Sequence, residues 1–160
     1  MNLLLRDKAR RLAGASAGSI SVELAVTITL LVIIALPMVD LGMGAYTQME
    51  VYNAAQAGAE YAAANPTNWT TDAVSNAVKH ATSLSSITVN PAPPSPPGSC
   101  GCVVNGQLAS ATCGSTCASS STAAGHYVTV GAQATYQPLL DYPFLPSPMT
   151  LSSTATVRTE

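Results

Sequence analysis

From Leu24 to Val39 the chain runs for 16 residues without a charge, and only Thr27, Thr29 and Pro37 interrupt its apolar character. Extended back to Ile20, the run reaches 20 residues, about the length that crosses a bilayer core as a helix. Such a segment limits everything around it, because a helix satisfies its own backbone hydrogen bonds where no water can. One residue conflicts with it. Glu23 sets an ionisable side chain at the head of the run, which costs free energy unless the carboxylate has a partner or a task.

Charge is distributed to match. Only 9% of residues are charged, against about 25% in an ordinary soluble domain. Residues 1–18 hold four basic groups (Arg6, Lys8, Arg10, Arg11) and one acidic group, a net +3. Residues 19–160 hold two basic and seven acidic groups, a net −5. A basic head before an apolar run predicts the head in the cytoplasm and the bulk of the chain outside. The acidic remainder offers no basic surface, which argues against nucleic acid as a partner.

The apolar run allows three readings. A secretory signal has a core of roughly 7–15 residues followed by a small-residue cleavage site. Gly42-Met43-Gly44 is available for that, but the core is longer and opens on a glutamate. A plain anchor fits the length and leaves Glu23 without a purpose. A cleaved leader ahead of a retained anchor accounts for both.

Helix-compatible sequence continues from Ser19 to Ala64, with a kink expected at Pro37 and a stop at Asn65-Pro66. A second helix is expected from Thr71 or Asp72, with Val74, Ala77, Val78 and Ala81 on one face. Ile87-Thr88-Val89 reads as a short strand, and "PAPPSPPG" at 91–98 as an extended spacer. A cysteine-bearing, Gly/Ser-rich segment follows, through Gly125. Two alternating strands close the chain. One carries Val128, Val130, Ala132, Ala134 and Tyr136 on one face, the other Leu151, Ser153, Ala155 and Val157. The fold class expected is α+β: a long N-terminal membrane-spanning helix (19–64, spanning part about 20–39), then a head at 65–160 with a small helix and an antiparallel sheet.

The cysteines, Cys100, Cys102, Cys113 and Cys117, fall together on the outer side, where disulfides are the default. Zinc sites prefer Cys-x2-4-Cys, which Cys100-Gly101-Cys102 does not match, so no metal is assigned. A single intervening residue disfavours a bridge between Cys100 and Cys102. Each is expected to pair with Cys113 or Cys117, closing a loop over 100–117. Ala54, Gly58 and Ala62 recur at one helical period, as do Ala55, Ala59 and Ala63. Small residues at that period suit close helix packing in a filament core or bundle, although alanine is also simply the best helix former. His80 and His126 have no motif partner and read as structural or surface residues. No catalytic constellation is present, so the chain reads as non-enzymatic and without a cofactor.

Gly18, followed at the fifth position by Glu23 and an apolar run behind a basic leader, is the pattern of prepilin-type signal peptides. With "SVELA" at 21–25, Asp40-Leu41-Gly42 and "NAAQAGAEYAA" at 53–63, the chain resembles the TadE-like minor pseudopilins of tight-adherence pili. The final "YVTVGAQATYQPLL" and "TLSSTATVRTE" resemble that family's closing strands. Leu24 stands where phenylalanine is usual, and the family's proline about ten residues into the run is absent.

The resemblance implies a pilin-like fold and a leader at 1–18, cut between Gly18 and Ser19 by a prepilin peptidase. It also implies a role for Glu23 in registering one subunit against another. The implied place is a bacterial inner membrane, crossed once, with the N-terminus cytoplasmic and the head periplasmic or in a filament. The implied partners are the peptidase, a major Flp-type pilin, other minor pseudopilins, the inner-membrane assembly platform and membrane lipid. The alternative is an uncleaved single-pass protein whose outer head binds a ligand or surface.

Overall fold

The computed structural model describes the backbone of residues 2–94, 98–118, 120–143 and 146–159, and their side chains from Ser19 onward. The side chains of the expected leader, 1–18, lie outside the described residues, as does the centre of the proline-rich spacer at 95–97. The chain divides into two compact units, Met1–Gly42 and Met43–Glu160.

Helix α1 runs Asn2–Ala64, passes Pro37 without a break and stops at the residue before Asn65-Pro66. It begins earlier than the expected Ser19. Leucine, arginine, lysine and alanine dominate residues 2–18, and these residue types favour helix. Within the first unit, Ile20, Leu24, Leu30, Ile33 and the other large apolar side chains of the run are exposed. The helix from Ser19 is long and apolar enough to cross a membrane, and none of its most apolar stretch is buried.

The second unit is built on the alanine-rich half of α1. Val51, Ala54, Ala55, Ala59 and Ala62 are fully buried, so two adjacent small-residue rows of the helix face one core. Helix α2 (Thr71–His80) packs into the same core through Val74 and Val78. Its start is fixed by Thr70, whose hydroxyl accepts from the Ala73 N–H at 3.2 Å, with Asp72 in the first turn. Lys79 and His80 complement the helix dipole in the last turn. Trp69, 1% exposed, lies between the two helices in sequence and joins the same core.

Among the described residues the sheet has five strands, all antiparallel: β1 (Thr88–Val89), β2 (Ser99–Val104), β3 (Gln107–Ser110), β4 (Gly125–Tyr136) and β5 (Met149–Arg158). Strand β4 is the axis. One edge pairs with β5 from Tyr127↔Arg158 to Tyr136↔Met149. The other edge is shared: β2 takes its start at Gly125–Tyr127, and β1 takes Ala132–Gln133. The crossing from β1 to β2 requires Gly131, where a Cβ would overlap the Asn90 carbonyl. Val128, Val130, Ala132 and Ala134 point into the core, joined by half-buried Ala155 and Val157 of β5. The opposite face carries threonines, and Thr129 and Thr156 share a hydrogen bond at 2.9 Å between their hydroxyls.

The cysteine segment differs from the expected loop, because residues 99–110 form the β2–β3 hairpin. Asn105 (φ 52°) and Gly106 (φ 79°) supply the two left-handed residues that a two-residue hairpin turn needs.

Candidate functional site

Glu23 lies on an exposed stretch of α1, one helical turn beyond Ser19. The polar groups that follow it are satisfied within the helix. The Thr27 hydroxyl donates to the Glu23 carbonyl at 2.8 Å, and the Thr29 hydroxyl donates to the Ala25 carbonyl at 2.8 Å. Threonine can thus enter an apolar medium without an unmet donor. The Glu23 carboxylate has no such internal answer, and among the described residues nothing pairs with it. Gly18, on the other side of the expected cut, falls among the residues whose side chains are not described.

Ala54, Gly58 and Ala62 are brought together, but within their own head. A Cβ on Gly58 would stand 2.5 Å from Val78 Cγ2 and 3.1 Å from Val130 Cγ1. Ala54 and Ala62 are 0% exposed in the same core. In this structure these small residues face the head's own core. Smallness here serves the approach of α1 to α2 and β4. The exposed residues of this part of α1 include Tyr46, Met49 and Tyr52.

One polar junction ties α1 to the end of α2. Glu50 accepts from the Thr82 hydroxyl at 3.1 Å and from the Ser83 hydroxyl at 3.4 Å. Tyr46 also hydrogen-bonds Glu50, and that bond, together with the carboxylate's negative charge, raises the Tyr46 phenol above its ordinary 10.0.

The four cysteines form two disulfides, Cys100–Cys113 and Cys102–Cys117, with Cα–Cα distances of 5.1 and 5.6 Å. They lace β2 to the segment that follows β3, around a small cluster that includes Ala124. Closing loops of 13 and 15 residues stabilises this Gly/Ser-rich region by about 3 kcal/mol each in the chain-entropy account. His126 is the residue that sequence reasoning passed over. Register sets it opposite Cys100, with Nδ1 at 3.5 Å from Cys100 Sγ. Spacing gives no hint of this, since the two are 26 residues apart and meet only through strand pairing. The Cys100, Cys113 and His126 donor atoms lie within 4.8 Å of one another. With the two sulfurs bonded together, however, the cluster lacks the thiolates that a zinc site requires. His80 ends α2 as an exposed residue.

No curated protein and no solved structure matches the chain. A family model does: residues 18–60 match that of the TadE-like proteins. The match begins at Gly18, takes in Glu23 and the apolar run, and stops before Ala62 and the cysteines. Over Gly18 to Glu60, therefore, the chain is similar to the TadE-like proteins.

Proposed function

We propose that the protein is a minor pseudopilin that helps to initiate or support a tight-adherence pilus. The observation that carries this reading is the contrast between Glu23 and its threonine neighbours. Both hydroxyls are satisfied inside the helix, while among the described residues the Glu23 carboxylate has no partner. Cutting between Gly18 and Ser19 supplies a partner. The new ammonium at Ser19 lies four residues from Glu23, within reach along one helix or between neighbouring subunits. A carboxylate in the new first turn also meets the positive end of the helix dipole. Together these offset a burial cost on the order of 3 kcal/mol for a charge in the membrane.

In this reading a prepilin peptidase removes residues 1–18 at the cytoplasmic face. The apolar run holds the protein in the inner membrane with its head in the periplasm. Glu23 registers it against a major Flp-type pilin or another minor pseudopilin on the assembly platform. Of the alanine-rich rows, Ala54, Ala55, Ala59 and Ala62 lie in the head's own core.

The test is Glu23→Ala. Cleavage persists, because the cut site is intact, while co-isolation with pilus components falls severalfold. Unchanged co-isolation refutes the registration role.

A further inference from the structure

The two disulfides have unlike surroundings. Cys102 and Cys117 are both buried, 8% and 5% exposed, and among the described residues no histidine forms a cluster with them. Cys100 is also buried, at 7%, but its partner Cys113 is exposed. Cys113 stands on a turn closed by the Ser115 N–H donating to the Thr112 carbonyl at 3.0 Å. Gly114 follows it with φ 79°, and the space where its Cβ would be is open. The Cys113 side is therefore accessible. On the Cys100 side, His126 Nδ1 lies 3.5 Å from the sulfur.

We propose that Cys100–Cys113, and not Cys102–Cys117, is a site of thiol–disulfide exchange, at which an external thiol is captured on Cys113 while His126 holds the departing Cys100 thiolate. A disulfide sulfur is a poor acceptor, so the His126 contact contributes little while the bond is closed. A thiolate is a strong acceptor, and an N–H donated to it becomes a charge-assisted hydrogen bond. His126 thus stabilises the open state more than the closed one, which both favours reduction and makes Cys100 the better leaving group.

The step balances with an external dithiol or two molecules of a monothiol. The attacking thiolate forms a bond to Cys113 Sγ as the Cys113–Cys100 bond breaks, and its electron pair stays on Cys100 Sγ. A second thiolate then attacks the external sulfur of the mixed disulfide and releases Cys113. The external thiols leave as an oxidised disulfide, and the Cys100/Cys113 pair is reduced by two electrons. Cys102–Cys117 remains closed and keeps the hairpin laced to the following segment.

The experiment treats the full chain, detergent-extracted, with reduced glutathione for increasing times. It then quenches with acid, alkylates free thiols and maps each cysteine by mass spectrometry. The expected result is that Cys100–Cys113 opens about tenfold faster than Cys102–Cys117, with transient glutathione on Cys113. His126→Leu slows opening of Cys100–Cys113 roughly tenfold and leaves Cys102–Cys117 unchanged, while His126→Gln, which keeps an N–H donor, recovers part of the rate. Equal rates, glutathione on Cys100, or a His126→Leu rate equal to that of the native chain each overturn the proposal. So does faster opening of both bonds in that variant, which shows that His126 only packs the segment.

Discussion

Gly58 of α1 faces Val78 of α2 so closely that a single added methyl would come within 2.5 Å of its Cγ2. Val130 of β4 closes the same space at 3.1 Å, so the methyl cannot be accommodated by moving one side chain alone. Gly58→Ala is therefore expected to destabilise the head by about 1–2 kcal/mol, overpacking outweighing the gain of about 1 kcal/mol in helix propensity. Trp69 is the only tryptophan and is buried, so its fluorescence during urea unfolding reads this change directly. A variant as stable as the native chain contradicts the close approach.

Removing the buried bridge is expected to cost more. The double substitution Cys102→Ser, Cys117→Ser removes the constraint on a 15-residue loop and lowers stability by about 2–4 kcal/mol. Thermal unfolding of the oxidised chain, against the native protein under the same conditions, measures it.

The Tyr46–Glu50 contact makes a prediction at high pH. Its phenol titrates above 10.0 in the folded chain because the adjacent carboxylate favours the protonated form. The folded state thus holds this proton more tightly than the unfolded one. The contribution is fully present below pH 10.0 and is lost as pH rises through the higher folded value. Tyr46 is exposed, so the effect on stability is small. The difference in phenolate absorbance between native and Tyr46→Phe chains isolates this group's titration. Glu50→Gln is expected to bring it back towards 10.0.

Much of this architecture can be read in the residues because it depends on local periodicity. Val74 and Val78, four apart, announce the buried face of α2, and the alternation from Val128 to Ala134 announces that of β4. The β2–β3 hairpin was equally local: Asn105-Gly106 between "VV" and "QL" is a turn signal, masked by the surrounding cysteines, glycines and serines. Other features depend on pairing across the chain. The small-residue rows at Ala54, Gly58 and Ala62 signal a close approach without saying to what, and the answer is α2 and β4 of the same head. His126 meets Cys100 only because β4 and β2 adopt one register. The disulfide pairing is of the same kind, settled by which cysteines the strand and the turn at Cys113 bring together.

The most direct test of the central claim is the N-terminal residue of the protein extracted from membranes of cells with an active prepilin peptidase, read by mass spectrometry. The pseudopilin account predicts a chain beginning at Ser19, with its new amine one turn from Glu23. An intact Met1 in those cells, or a chain beginning after Gly44, contradicts it.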